Sequence, residues 1–99
     1  MKARFSFDPA LSPFLEKLHR GVPFEYDCAR AATLKNAIEA LGVPHTEVGA
    51  VTVNGEPATL QRTVREGDAI EVHPWRAAAE TAAEMGSVPA FVADAHLGG

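Results

Sequence analysis

A single cysteine, Cys28, is present among 99 residues. An internal disulfide or a cysteine-based metal cluster needs more than one thiol, so both are excluded. A lone thiol also suits a reducing, cytoplasmic compartment. No apolar run approaches the ~18 residues of a membrane-crossing helix, and the N-terminus lacks the pattern of a secretory leader. Bases are in short supply too: nine Lys and Arg stand against thirteen Asp and Glu, for a formal charge of −4. A chain that grips phosphates with its whole surface is normally basic, so free-standing nucleic-acid binding is disfavoured. What remains is 46% hydrophobic and 22% charged, ordinary for a soluble globular chain. The length suits one small domain with a short appendage, too little for a complete enzyme site beside it.

The charge is unevenly placed. Residues 1–21 sum to +2, with Lys2, Arg4, Lys17 and Arg20; residues 22–76 sum to −3; residues 77–99 hold three acids and no Lys or Arg. Arg4-Phe5-Ser6-Phe7 alternates and stops at Asp8-Pro9, which predicts a first strand. Leu11, Phe14, Leu15 and Leu18 fall at i, i+3, i+4 and i+7, predicting one apolar face of a short helix or helical loop. Val22, Phe24 and Tyr26 alternate in a second strand. Leu34, Ala37, Ile38 and Leu41 repeat the helical spacing, with Thr33 as cap and Gly42 for the left-handed exit. Val48 to Val53 predicts a strand leading into an Asn54-Gly55 turn. A short strand is expected around Ala58-Thr59-Leu60, and Ala69 to Val72 reads as the last strand.

The expected fold is therefore α+β: a mixed sheet of four to five strands covered by one main helix at about residues 33–41, with an extra short helix between strands 1 and 2. Leu34, Ile38 and Leu41 would pack on Phe5, Phe7, Phe24, Val51, Val53, Ile70 and Val72, each worth ~1.5–3 kcal/mol when buried. The composition shifts at Trp75-Arg76. Residues 1–75 form the expected domain, 76–88 an Ala-rich linker or loosely docked helix, and 89–99 a separate tail.

This order, with Val53-Asn54-Gly55-Glu56 and Glu66-Gly67-Asp68-Ala69-Ile70-Glu71-Val72, resembles the ubiquitin-like β-grasp fold, in particular the branch of thiamine- and molybdopterin-type sulfur carriers. The run Glu39-Ala40-Leu41-Gly42-Val43-Pro44-His45-Thr46-Glu47-Val48 is similar to a bacterial family in which a ubiquitin-like domain precedes a Mut-seven C-terminal-type RNase domain, a relative of PIN nucleases. Pro89-Ala90-Phe91-Val92-Ala93-Asp94-Ala95-His96-Leu97-Gly98-Gly99 looks like the opening strand of that nuclease. The resemblance implies a piece of a longer RNA-processing protein, stopping before the nuclease's arginine-rich helix, further acids and zinc-binding cysteines.

On that resemblance Asp94 would be a metal-binding carboxylate of the nuclease, where a hard cation needs several converging oxygen ligands. Its companions are missing, so no catalytic residue and no RNase activity are expected of this chain. Gly98-Gly99 matches the activated tail of a sulfur carrier or ubiquitin-like modifier, but it lies 26 positions beyond Val72, where carriers place it close to the last strand. His19, His45, His73 and His96 include no pair at helical ligand spacing, so no metal and no cofactor are expected. His45 reads as a loop hydrogen-bonding residue and Cys28 as a partly buried thiol. The expected role is a non-catalytic interaction module that binds a protein partner or its own RNase domain. Trp75 and Arg76 are candidate contacts, because these residue types recur at hot spots. Lys2, Arg4, Lys17 and Arg20 are the candidate RNA contacts if they meet in one patch. The alternative is a carrier or modifier acting through Gly98 and Gly99.

Overall fold

The computed structural model describes residues 1–75. It contains β1 (Lys2–Phe7), β2 (Phe24–Asp27), α1 (Leu34–Ala40), β3 (Ala50–Val53), β4 (Glu56–Ala58) and β5 (Ala69–His73). Short 3-10 segments occupy Pro9–Phe14, Lys17–His19 and His45–Glu47. The sheet order is β2-β1-β5-β3-β4. β1 and β5 run parallel at the centre, and every other pair is antiparallel.

Alternation along β1 and β5 decides what faces α1. Ala3 and Phe5 of β1 and Ile70 and Val72 of β5 are buried, while Lys2, Arg4, Ala69 and Glu71 are exposed on the other face. Register aligns Phe5 with Ile70 and Phe24, and Val51 with Val72, so the apolar positions form continuous rows under the helix. Leu34, Ala37, Ile38 and Leu41 all enter this core, as their spacing predicts. Phe7 and Phe24 differ slightly from expectation: they are half-buried and stack on one another at the rim, with ring centroids 6.1 Å apart.

The ends of α1 follow from its local sequence. Thr33 Oγ1 accepts the Asn36 N–H, and the Asn36 side chain accepts the Thr33 N–H in return, closing a capping box. Carbonyls of Arg62 and Leu60 take the N–H groups of Leu34 and Lys35, so the 60–63 segment satisfies the first turn from outside. At the other end Gly42 adopts φ +105°. Its N–H reaches Glu39 O and the Val43 N–H reaches Ile38 O, a Schellman closure. A β-carbon on Gly42 would lie 2.4 Å from Phe14 O, so this residue is constrained by space as well as by dihedral.

The segment between β1 and β2 departs from the predicted helix. It forms two 3-10 pieces separated by extended backbone at Leu15 and Glu16. Leu11 and Leu15 are buried, whereas Phe14 is 39% and Leu18 83% exposed. Pro9 and Pro13 remove two amide donors, and the tighter 3-10 turn no longer carries the i, i+3, i+4, i+7 set along one face. Val22 is likewise exposed and lies outside β2, ahead of Pro23. The short strand predicted near residues 58–60 begins earlier, at Glu56. Asn54 (φ 54°) and Gly55 (φ 85°) make a two-residue turn that pairs Val53 directly with Glu56. The expected segments 76–88 and 89–99 lie outside the described residues.

Candidate interaction surface

Several polar residues that sequence inspection can mistake for chemistry are ties between elements. Asp68 is buried. Its carboxylate accepts from Arg62 Nη1 at 2.8 Å, from the Arg65 N–H at 2.8 Å and from Asn54 Nδ2 at 3.2 Å. Burial alone raises its pKa, but these donors outweigh burial and hold the carboxyl below its ordinary value. The Asn54 side-chain carbonyl in turn accepts the Ala69 N–H at 2.9 Å, locking the β3–β4 turn to the start of β5. Asp68 and Asn54 meet 14 residues apart, and no local sequence signal announces the contact.

His45 makes the loop contact expected of it: Nδ1 lies 2.6 Å from Glu39 Oε2, and that hydrogen bond holds the Glu39 carboxyl below the usual range. Cys28 is buried, more fully than the partly buried thiol expected. Burial pushes its thiol pKa up, and Sγ sits 3.9 Å from the Tyr26 carbonyl. A raised pKa disfavours the reactive thiolate. Among the described residues no group of three or more His, Cys, Asp or Glu converges where a metal could be held.

The four candidate RNA contacts fall into two separated pairs. Lys2 and Arg4 project from the outer face of β1, opposite in parity to Phe5 and Phe7. Their cross-strand partners are Asp27 and Glu25, and Glu66 Oε1 accepts the Lys2 N–H at 2.8 Å. The shallow depression there, of about 260 Å³, is thus edged by acids as well as bases. Lys17 and Arg20 belong to the other face. The His19 ring between them stacks on Phe24 at 3.9 Å, and Arg20 Nε donates to Leu15 O at 2.9 Å. The sheet therefore stands between the pairs.

Trp75 lies where the described chain ends. Its indole Nε1 donates to Thr46 O at 3.2 Å, yet the residue is 47% exposed. Backbone packing fixes it as well: a β-carbon on Gly49 would meet Trp75 Cα at 2.4 Å, and the Gly49 N–H reaches His73 O at 2.8 Å. Trp75 is thus pinned to the domain and still partly exposed as a candidate contact. Arg76, Asp94, Gly98 and Gly99 lie outside the described residues. Phe14, Leu18 and Val22, assigned by their spacing to buried faces, instead add exposed apolar surface.

Residues 1–80 match the family described as Mut7-C ubiquitin. The chain belongs to the Mut7-C ubiquitin family. Among solved structures it is similar to SAMP1 from Haloferax volcanii, with a TM-score of 0.55 and 20% identity over 75% of this chain and 94% of that one. At this identity the likeness is one of fold, and it establishes the ubiquitin-like β-grasp architecture. No curated protein matches the sequence. In this Mut7-C ubiquitin domain the apolar and aromatic exposure gathers on the β1–β2 connection and at the chain exit, while the outer sheet face is polar. No helix among the described residues is long and apolar enough to cross a membrane.

Proposed function

We propose that this Mut7-C ubiquitin domain is a non-catalytic accessory module of an RNA-processing protein of the RNase type, binding its own adjoining nuclease domain or an equivalent protein partner in the cytoplasm. The observation that carries this reading is Trp75, pinned through Thr46 and Gly49 yet still half-exposed at the point from which the chain continues. A rigidly held, partly exposed indole meets a partner at little entropic cost, which is why tryptophan recurs at interface hot spots. The resemblance of residues 89–99 to the opening strand of a nuclease supports the association with one.

Calorimetric titration of the chain with the RNase domain of a longer family protein tests the proposal. Binding is expected, and Trp75→Ala should weaken it about tenfold or more, the ~1.4 kcal/mol or greater typical of a hot spot. No detectable binding would count against the module. The chain alone is expected to leave RNA intact. Metal-dependent cleavage lost on Asp94→Asn would overturn the non-catalytic reading.

A second reading is a carrier or modifier acting through Gly98-Gly99: a terminal diglycine suits adenylation because glycine leaves its carboxylate unhindered. Mass spectrometry after incubation with ATP and an activating enzyme separates the two: an adenylate or thiocarboxylate at Gly99 would favour the carrier.

A further inference from the structure

Among the described residues, three of the five exposed large hydrophobic side chains fall within nine residues: Phe14, Leu18 and Val22. Their exposure is built into the backbone. Leu11 and Leu15 anchor the segment in the core, the His19 ring lies on Phe24, and the Phe14 carbonyl packs against Gly42. Lys17 and Arg20 flank Leu18, and among the described residues neither forms an ion pair. The result is an anchored nine-residue segment that presents both apolar and cationic side chains. Exposed apolar side chains concentrated in one short anchored segment mark a contact surface, whereas scattered single ones do not.

We infer that this surface is covered in cis by residues 77–88 of the same chain. The inference rests on the reading of the domain as an interaction module and supplies the element that sets how its neighbour is presented. Charge and side-chain chemistry choose the occupant. Residues 77–88 contain Glu80 and Glu84, no Lys or Arg, and the apolar Met85 and Val88. Two acids and two apolar side chains complement Lys17, Arg20 and the exposed Leu18 and Val22.

Reach is sufficient. Trp75 is tied to Thr46, and Gly42 touches Phe14, so only four residues of chain separate the two landmarks, at most ~14 Å. Twelve residues span ~18 Å as a helix and ~40 Å extended. A second copy of the domain is a poorer occupant, because a two-fold contact would set Lys17 and Arg20 against their own equivalents.

Amide NMR of the full 15N-labelled chain, without any partner, tests the docking. Glu80→Lys with Glu84→Lys is expected to shift the amide resonances of residues 14–22 and leave those of the sheet in place. Raising salt from about 0.1 M to about 1 M, where the screening length falls from ~10 Å to ~3 Å, should move the same resonances in the unmodified chain. Adding Lys17→Glu and Arg20→Glu to the tail variant should return them toward their original positions. Resonances of 14–22 that ignore both the tail charges and salt would overturn the docking. Shifts that depend on protein concentration would also overturn it, by assigning the surface to a second copy. Because no nuclease domain is added in these measurements, their results are independent of whether the module binds one.

Discussion

Leu11, Phe14, Leu15 and Leu18 repeat the spacing of Leu34, Ala37, Ile38 and Leu41, yet the two stretches fold to different ends. The later set is buried throughout, with Ile38 and Leu34 at 0% exposure, whereas Leu18 of the earlier set is 83% exposed. Apolar spacing is the same in both, so it does not account for the outcome. The later stretch has Thr33 and Asn36 to close its first turn, carbonyls of Leu60 and Arg62 to receive its free donors, and Gly42 to end it. The earlier stretch has Pro9 and Pro13 and an extended break at Leu15 and Glu16. Periodicity selects a face only once the helix has ends; without them half the pattern becomes surface.

Substitutions should separate the two stretches, read out by urea denaturation. The largest effect is expected at the buried helix: Ile38→Ala should cost about 2–5 kcal/mol, from lost burial plus the cavity left behind. Asp68→Asn comes next, because Asp68 holds Arg62, and the 60–63 segment receives the first amides of α1. A loss of ~1.5–3 kcal/mol is expected for hydrogen bonds to a charged group. The pH dependence supplies an independent check. Asp68 ionises below its ordinary 3.8 in the folded chain, so the unfolded chain binds protons first as pH falls. Its contribution is complete well above pH 3.8 and drains away as pH drops through the lower folded value. An amide in place of the Asp68 carboxyl does not titrate, so the stability of the Asp68→Asn variant should fall less steeply over this acid range than that of the unmodified chain.

Gly42→Ala is expected to cost more than ~1 kcal/mol, since a β-carbon there suffers both the positive φ and the Phe14 carbonyl. Thr33→Ala should cost ~1 kcal/mol through loss of the cap. Leu18→Ala should sit at the other extreme, within ~0.5 kcal/mol of the unmodified chain. A large loss at Leu18 would mean that the two stretches are equally packed, and would break the comparison.

Much of the fold was legible because strand signals and turn signals agreed. Phe5, Val51, Val53, Ile70 and Val72 alternate with polar residues, and Asn54-Gly55 sets its own register. The main helix was legible because both its caps lie within its own sequence. The Asp68–Arg62–Asn54 network was not, since it depends on the β3–β4 turn meeting the β4–β5 connection after the sheet has formed. The site was less legible than the fold. Trp75 stood out by residue type, but Lys2 and Arg4 were separated from Lys17 and Arg20 by strand parity and by the stacking of His19 on Phe24. Phe14, Leu18 and Val22 escaped notice as surface because their spacing is that of a buried face.

If the exit end is where this Mut7-C ubiquitin domain meets a nuclease, titrating the 15N-labelled chain with the RNase domain of a longer family protein will show it residue by residue. Amide shifts concentrated at residues 42–49 and Trp75 are the expected result. No shifts, or shifts confined to the outer sheet face around Lys2, Arg4 and Glu25, would contradict it.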